Sequence, residues 1–292
     1  MQIKQFLRSW VMAAVVGTLA GTAHADYPDR PIRLVVPFAA GGTLATDMVA
    51  KAAPDGYTLL MTTNSHTANP SIYARLSYDT KKDFVSVAMI GDLPGLLVAS
   101  PFFAPNTFKE FIEYARSART PVSYGTAGAG TYPHLTTELL RSRAQIEMTH
   151  IPYRGAGPAM NDLLAGVYNV KVEGVPTAMQ HVKSGKLKVY AVTSRERIPS
   201  FPEVPTIAEL GFSGFESTFW MAMLAPAGTP KDIVGKLERA LIEALQDKEV
   251  TARLAASGIR VIAGPATQVD ELIERELVQW PPIVKQANIQ VN

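Results

Sequence analysis

The 292-residue sequence contains no cysteine. This absence excludes a disulfide framework, a thiol nucleophile, a cysteine zinc site and a lipid anchor on an N-terminal cysteine. Histidine is scarce, with five residues, and none has the His-Glu-x-x-His spacing of a metalloprotease. Acidic and basic residues nearly balance, at 26 and 28. The chain therefore lacks the positive field of a nucleic-acid-binding protein, and we expect no nucleic-acid partner.

Common enzyme signatures are missing as well. The sequence has no Gly-x-Ser-x-Gly nucleophile elbow and no Gly-Lys-Ser/Thr of a nucleotide-binding P-loop. Ser65 and His66 are adjacent, so they cannot easily face each other as nucleophile and base. We therefore expect no enzyme activity, no catalytic residue, no metal site and no cofactor.

The N-terminus has the three parts of a secretory signal peptide. Lys4 and Arg8 are basic, residues 11–19 are apolar but too few to span a bilayer, and residues 23–25 read Ala-His-Ala, a typical cleavage site. We expect residues 1–25 to be removed and the mature protein to work outside the cytoplasm. Removal takes away two basic residues and no acid, which leaves 26 residues of each sign.

Strand and helix patterns alternate along the remaining chain, which predicts an α/β fold with mainly parallel sheets. Thr107 and Thr206 each begin a Thr-x-x-Glu capping box, and Thr229 is a predicted N-cap followed by Pro230 at the first helical position. Pro94-Gly95 is predicted to separate two strands. The predicted strands are 32–36, 57–62, 84–90, 96–99, 122–124, 150–152, 170–173 and 187–193. The predicted helices are 107–116, a segment ending at 143, 159–164, 177–183, 230–246, 249–257 and 268–285.

A glycine-rich segment, residues 125–134, lies between the strand at 122–124 and the helix after it; we call it the glycine loop. Thr131 is a plausible N-cap, and Pro133 fits the first helical turn. Exposed N–H groups at such a turn, together with the helix dipole, favour binding of an anion. His134 would lie near these groups, either in contact with a ligand or as a packed or capping histidine.

Four other strand ends carry candidate ligand groups. Residues 37–43 either cradle an anion or form a plain strand-to-helix turn. Residues 62–66 either bond a small polar ligand or cap the following turn. Glu173 either holds a ligand amine or hydroxyl or is an exposed loop acid. Arg154, between Tyr153 and Gly155, either pairs with a carboxylate or is solvated.

Six segments resemble the Bug family, the periplasmic solute-binding proteins of tripartite tricarboxylate transporters. They span nearly the whole chain after the signal peptide, in order, at residues 27–33, 37–43, 54–59, 123–134, 189–194 and 224–230. The resemblance implies a two-lobed, type II-like periplasmic-binding-protein fold that closes on a small carboxylate. Lobe 1 would comprise residues 26–124 and 221–292, and lobe 2 residues 125–220.

The resemblance also implies that both strand-to-helix glycine loops give backbone and hydroxyl contacts to the ligand. The family often has Asp at the position of Glu173, where the extra methylene of this chain would move the carboxylate. With the strand-end residues added, the predicted ligand-binding set is Ala40, Gly41, Gly42, Thr43, Asn64, Thr126, Ala127, Gly128, Gly130, Thr131, His134 and Glu173.

One departure from the family lies between its Gly-Gly-Thr turn and its Pro-Asp-Gly-Tyr turn. The family has a helix, a strand and an Asn-Arg-Pro-Gly-type loop there, whereas this chain has only residues 44–53. About 30 residues are missing, close to one strand–helix repeat. We expect the first lobe to lack a strand and a helix, and the protein to be less stable than full-length relatives. Either the domain has closed around the shorter connection or the protein is impaired.

Three functions are weighed on this basis. The first is a monomeric periplasmic binding protein that delivers a small organic acid to membrane transporter subunits. The second is a ligand sensor that presents its closed form to a membrane receptor kinase. The third is a secreted hydrolase that uses His134 or His66.

Overall fold

The computed structural model describes residues 27–37 and 42–290. The predicted signal peptide, residues 1–25, lies outside the described residues. Residues 27–32 contain no helix or strand, and the Tyr27–Pro28 peptide bond is cis. Among the residues that the structure describes, no helix is both long and apolar enough to cross a membrane.

Nine strands and nine helices are described, and they largely alternate, as expected for an α/β fold. The strands are β1 (Arg33–Val35), β2 (Thr58–Thr63), β3 (Phe84–Ala99), β4 (Val122–Thr126), β5 (Met148–Pro152), β6 (Val170–Gly174), β7 (Lys188–Val192), β8 (Thr218–Pro226) and β9 (Arg260–Pro265). The helices are α1 (Thr43–Ala50), α2 (Ser65–Ile72), α3 (Phe108–Ser117), α4 (Tyr132–Ala144), α5 (Ala156–Leu164), α6 (Val175–Lys183), α7 (Lys231–Gln246), α8 (Lys248–Ala256) and α9 (Ala266–Gln286).

The described strands form a mixed sheet in the order β1-β2-β8-β3-β6-β4-β5, with β7 and β9 also paired to β3. The pairs β1–β2, β4–β5 and β4–β6 are parallel, and the other pairs are antiparallel. The prediction of mainly parallel sheets is therefore wrong. The reason is that β3 runs antiparallel to all four of its partners and β8 runs antiparallel to β2.

Strand β3 joins two halves of this sheet. It pairs with β8 from Phe84 to Pro94 and with β6 from Gly95 to Ala99. We call the half with β1, β2, β8 and β9 the first sheet, and the half with β4 to β7 the second sheet. The predicted break at Pro94-Gly95 is wrong, because the strand continues. Pro94, which has no N–H, lies where β3 leaves one partner for the next.

Helices cover both faces of the second sheet. On one face, Leu97 belongs to an apolar cluster with Phe111 of α3 and Leu139 of α4. On the other face, its neighbour Leu96 belongs to a cluster with residues of α5 and α6, as the period of two along a strand requires. Because α4, α5 and α6 follow β4, β5 and β6 along the chain, their N-termini lie at the carboxyl ends of those strands.

The capping-box predictions have different outcomes. Thr107 caps α3 and accepts from Glu110 N, as predicted. Thr206 and Glu209 form both reciprocal bonds, but they close a turn instead of a helix. The N-cap prediction at Thr229 is wrong by one residue, because its hydroxyl donates to a backbone oxygen and α7 begins after Pro230.

Three elements escaped prediction, namely α2, β8 and β9, and α1 is predicted only as a helix of unstated length after residues 37–43. Helix α2 contains Pro70, which normally argues against a helix interior. Strand β8 is buried along nearly its whole length, so it lacks the alternation of polar and apolar residues that marks a half-buried strand. The other predicted strands and helices are confirmed to within a few residues, which is the usual uncertainty of element boundaries.

The shortened segment lies between β1 and β2, which pair directly in parallel, with Arg33 opposite Thr58. Helix α1 lies in their connection, and no described strand pairs with the outer side of β1. This is the arrangement expected if the domain has closed around the shorter connection. It leaves apolar side chains on the surface, since Leu34 is 47% and Leu44 is 83% exposed.

Candidate ligand site at the glycine loop

The glycine loop is held by the hydroxyl groups of its own threonines. Thr126 Oγ1 accepts from Gly128 N at 3.2 Å, and Thr131 Oγ1 donates to Gly128 O at 2.8 Å. Thr131 is the N-cap of α4, as predicted, but its side chain bonds the loop and not the helix. No side-chain hydrogen bond caps α4 among the described residues. Uncapped N–H groups of a first helical turn are what an anion site uses, and here they are those of Tyr132 and His134, because Pro133 has none.

Two stacked histidines support the loop. His134 Nδ1 accepts from Gly130 N at 3.0 Å, and His150 Nε2 lies 2.7 Å from Thr126 Oγ1. The two ring centroids are 3.8 Å apart. Burial lowers the pKa of His134 to about 3 and also lowers the pKa of His150. His134 is thus a packed, neutral histidine in this structure, and its contact with a ligand stays a prediction.

The segments that follow β4 and β5 are bonded to each other through the backbone. Tyr153 N donates to Thr126 O at 3.0 Å, and Gly155 N donates to Ala127 O at 3.2 Å. Gly155 is the N-cap of α5, which has no side-chain cap among the described residues. Because β4 and β5 are parallel, the N-termini of α4 and α5 lie at the same edge of the second sheet. Arg154 is exposed at this edge.

Glu173 lies at the end of β6 and is buried, so the alternative of an exposed loop acid is wrong. Its Oε1 accepts from Gly174 N at 2.9 Å and from Thr177 Oγ1 at 2.8 Å. Its Oε2 accepts from Lys171 Nζ at 2.5 Å, and Lys171 is only 1% exposed. Both carboxylate oxygens are therefore engaged within the protein, and a ligand amine would have to compete with Lys171.

On the first sheet, the polar residues after β2 have separate roles. Asn64 is buried and precedes α2. Ser65 Oγ lies 3.1 Å from Thr63 Oγ1, and His66 Nε2 lies 3.1 Å from Thr80 O. Burial lowers the pKa of His66 to about 4. Ser65 and His66 thus have different partners, as their adjacency predicts.

The first candidate loop is described only in part. Ala40 and Gly41 lie outside the described residues. Gly42 precedes α1 with a φ of 64°, and Thr43 is the first residue of that helix. A left-handed φ favours glycine at this position. Contact of Gly42 or Thr43 with a ligand stays a prediction.

The fold brings the glycine loop next to α2, the helix that follows Asn64. A Cβ atom on Gly130 would lie 3.2 Å from Ile72 Cδ1 and 3.9 Å from Ile289 Cγ2, and the φ of Gly130 is +73°. The positive φ favours glycine here, and an added Cβ would lie tightly against Ile72. The C-terminal residue of α2 therefore lies next to the glycine loop.

Sequence reasoning missed His150 and Lys171. The alternation of Val-Lys-Val-Glu could have placed Lys171 and Glu173 on one face of β6. The contact of His150 with Thr126 depends on the register of β4 against β5, for which the sequence has no comparable signal. No group of three or more His, Asp or Glu side chains is placed to hold a metal within the described part of the chain.

The fold is that of the periplasmic binding proteins, and in this chain the long strand β3 joins the two halves of the mixed sheet. The family described as "Tripartite tricarboxylate transporter family receptor" matches residues 36–289. The chain belongs to this family.

Three similar proteins illustrate the relationship. BugT from Bordetella pertussis is 32% identical, with 96% of this chain and 96% of that protein covered. The structure of the periplasmic binding protein BugD is 32% identical, with 91% of this chain and all of that chain covered and a TM-score of 0.71. MatC from Rhodopseudomonas palustris, with bound malate, is 31% identical, with 88% and 100% covered and a TM-score of 0.70.

Proposed function

We propose that this chain is a periplasmic solute-binding protein that captures a small carboxylate between two lobes for a tripartite tricarboxylate-type transporter. Lobe 1 would comprise residues 26–124 and 221–292, and lobe 2 residues 125–220. Residues 1–25 would direct export. The family match and the solved periplasmic relatives support this proposal.

The observation that carries the proposal is the convergence of two uncapped helix N-termini, those of α4 and α5, at one edge of the second sheet. A carboxylate there gains from both helix dipoles and from charge-assisted hydrogen bonds of about 1.5–3 kcal/mol each. Two or three such bonds, about 3–9 kcal/mol in total, do not offset most of the range of the association cost, about 4–15 kcal/mol. The ligand therefore needs further contacts, for which we propose Ala40, Gly41, Gly42, Thr43 and Asn64 of the other lobe.

The hydrogen bonds and ion pair that Glu173 makes within the protein argue against a ligand that carries an amine. Because Lys171 already balances this buried carboxylate, a ligand ammonium would find no unpaired acid there. MatC was solved with malate, an acid without an amine. We infer that this chain prefers small di- or tricarboxylates to acidic amino acids.

Isothermal calorimetry tests the proposal. The panel comprises malate, succinate, adipate, citrate, benzoate, nicotinate, aspartate and glutamate. We expect one or more acids without an amine to bind and the two amino acids to bind more weakly. Absence of heat and of a thermal shift with every acid would overturn the proposal.

A matched pair of variants locates the site. Thr131→Val removes the hydroxyl that holds Gly128, and we expect weaker binding of the best ligand. Thr149→Val changes an exposed threonine on β5 and should leave the affinity unchanged. Equal affinities for the two variants would argue against the glycine loop as the site.

A pull-down from membranes tests the partner. With the ligand-closed protein as bait, we expect transporter membrane subunits to be recovered. Recovery of a receptor kinase sensor domain in their place would favour the sensor function.

A further inference from the structure

Tyr132 lies between the glycine loop and the place where the chain crosses from one sheet to the other. It is the first residue of α4, directly after the N-cap Thr131. Its hydroxyl donates to Ser217 O at 3.1 Å and lies 2.9 Å from Thr193 Oγ1. Burial raises the pKa of Tyr132, so the hydroxyl keeps its proton and remains a donor.

Two chain segments pass between the sheets at this point, namely β3 and the connection from β7 to β8. Strand β3 changes partner between Pro94 and Gly95. Strand β7 ends just before Thr193, and β8 begins just after Ser217. These segments are bonded to each other, because Gly95 N donates to Thr193 Oγ1 at 2.9 Å and Ser217 N donates to Thr193 O at 2.9 Å. We call Gly95, Thr193 and Ser217 the crossing.

The fit between Tyr132 and the crossing is close. A Cβ atom on Gly95 would lie only 2.7 Å from Tyr132 Oη and 3.1 Å from Thr193 Oγ1. The ring of Tyr132 also packs edge-on against Phe219 of β8, with centroids 6.2 Å apart. A second bond from α4 reaches the same place, since Thr136 Oγ1 lies 2.7 Å from Ser217 Oγ. The first two turns of α4 are thus attached to the crossing by hydrogen bonds.

A cleft that is open to solvent lies beside the crossing. Its volume is about 440 Å³, and Asp92, Ser217, Thr218 and Arg260 are among its lining residues. Ser217 thus borders both the cleft and the hydroxyl of Tyr132.

We propose that Tyr132 is a positioning residue that couples occupancy of the glycine loop to the angle between the two sheets. This inference rests on the proposed function, because it takes the glycine loop to be the ligand site. A carboxylate bound at the N-terminus of α4 attracts that end of the helix. Tyr132, the first residue of α4, is bonded to Thr193 and Ser217, so a shift of the helix is transmitted to the crossing. Without the hydroxyl, the glycine loop still binds the carboxylate, but binding no longer changes the angle between the two sheets.

The test measures the distance between the sheets by fluorescence energy transfer. The chain has no native cysteine, so Lys186→Cys and Glu243→Cys, both at exposed positions, accept the dyes alone. Malate and adipate are the probes. We compare the labelled parent with Tyr132→Phe, which keeps the ring against Phe219.

In Tyr132→Phe we expect a smaller change of distance at saturating malate or adipate and an affinity about 3- to 10-fold weaker, the range of one lost hydrogen bond. We also expect a broader distance distribution without ligand. Tyr190→Phe removes an equivalent buried bond, from Tyr190 Oη to Pro105 O at 2.7 Å, which involves no residue of the crossing. It should leave both distance measurements unchanged.

A second pair of variants separates coupling from stability. Thr193→Val removes the hydroxyl at the crossing and should behave like Tyr132→Phe, whereas Thr193→Ser keeps the hydroxyl and should restore the parental distance change. If Tyr132→Phe matches the parent in closure and in the ligand-free distribution, the inference is overturned. If neither acid binds the parent, malate and adipate are excluded as ligands in the proposed function. The role of Tyr132 is then tested by comparing the ligand-free distance distributions of the parent and Tyr132→Phe.

Discussion

The glycine loop and the region of α1 occupy similar places after a strand, but they are held in different ways. The glycine loop is bonded to two histidines, the buried His134 at Gly130 and the partly buried His150 at Thr126. At α1, by contrast, the side chain of Leu44 is 83% exposed. The glycine loop is thus preorganised by its polar partners, whereas α1 leaves the apolar side chain of Leu44 on the surface. Substitutions should therefore cost much more in the second sheet than at α1.

The largest expected effect is at the buried ion pair of the second sheet. Lys171→Met leaves the Glu173 carboxylate buried without its cation, which should destabilise the protein by about 3–5 kcal/mol. Urea unfolding at pH 7 measures this loss.

Two controls accompany that measurement. Lys186→Met, at an exposed lysine, should change stability by less than about 0.5 kcal/mol. Lys171→Met combined with Glu173→Gln should recover most of the loss, because the charge is gone and the side chain can still accept from Gly174 N. Equal stabilities of Lys171→Met and Lys186→Met would show that the pair contributes nothing.

Acid should weaken the protein through its buried histidines. The pKa of His134 is about 3 in the folded protein, against 6.5 for the ordinary group. The unfolded state therefore binds the proton first, and the contribution of His134 is complete above pH 6.5 and is lost as the pH falls toward 3. We expect about 2 kcal/mol less stability at pH 5 than at pH 8 from this group.

Two variants separate the histidines. His134→Gln should flatten the pH dependence of unfolding and also disturb the glycine loop. His66→Gln should likewise flatten it, since the pKa of His66 is about 4, but should leave carboxylate affinity unchanged. A pH dependence that stays the same in His134→Gln would contradict the assignment.

Two glycines of the second sheet give the next comparison, one in the glycine loop and one in α5. Gly130→Ala forces a left-handed φ of +73° on alanine and brings its Cβ to 3.2 Å from Ile72, so we expect a loss of about 1–2 kcal/mol. Gly157→Ala, inside α5 with nothing within 4 Å of the new Cβ, should be neutral or stabilise by up to about 1 kcal/mol. Thermal unfolding measures both, and a loss in Gly157→Ala equal to that in Gly130→Ala would contradict the backbone argument.

These comparisons also show what the sequence could and could not predict. Local signals placed most strands and helices, the cap at Thr107 and the glycine loop itself, because each depends on residues within a few positions. Pairing depends on distant partners, so the antiparallel course of β3 and its continuation through Pro94 were not predictable. The support of the loop by His150 has the same origin. The pairing of Lys171 with Glu173 is different, since the alternation of residues along β6 could have placed both on one face. The position of the glycine loop between β4 and α4 could be predicted from the sequence, and its binding of a ligand stays a prediction.

The smallest effect on stability is expected at α1. Leu44→Ser replaces an exposed side chain, so the free energy of unfolding should change by less than about 0.5 kcal/mol.

The same substitution should have a larger effect on association between molecules. Leu44 and Leu34 are both exposed, and no described strand covers β1 beside them. An uncovered sheet edge with apolar side chains favours association. We expect a monomer at low concentration and weak association at high concentration, which Leu44→Ser reduces in light scattering. Val278→Ser, at a position 77% exposed on α9, is the matched control and should leave association unchanged. An equal reduction in both variants would mean that general surface hydrophobicity, and not the edge at β1, controls association.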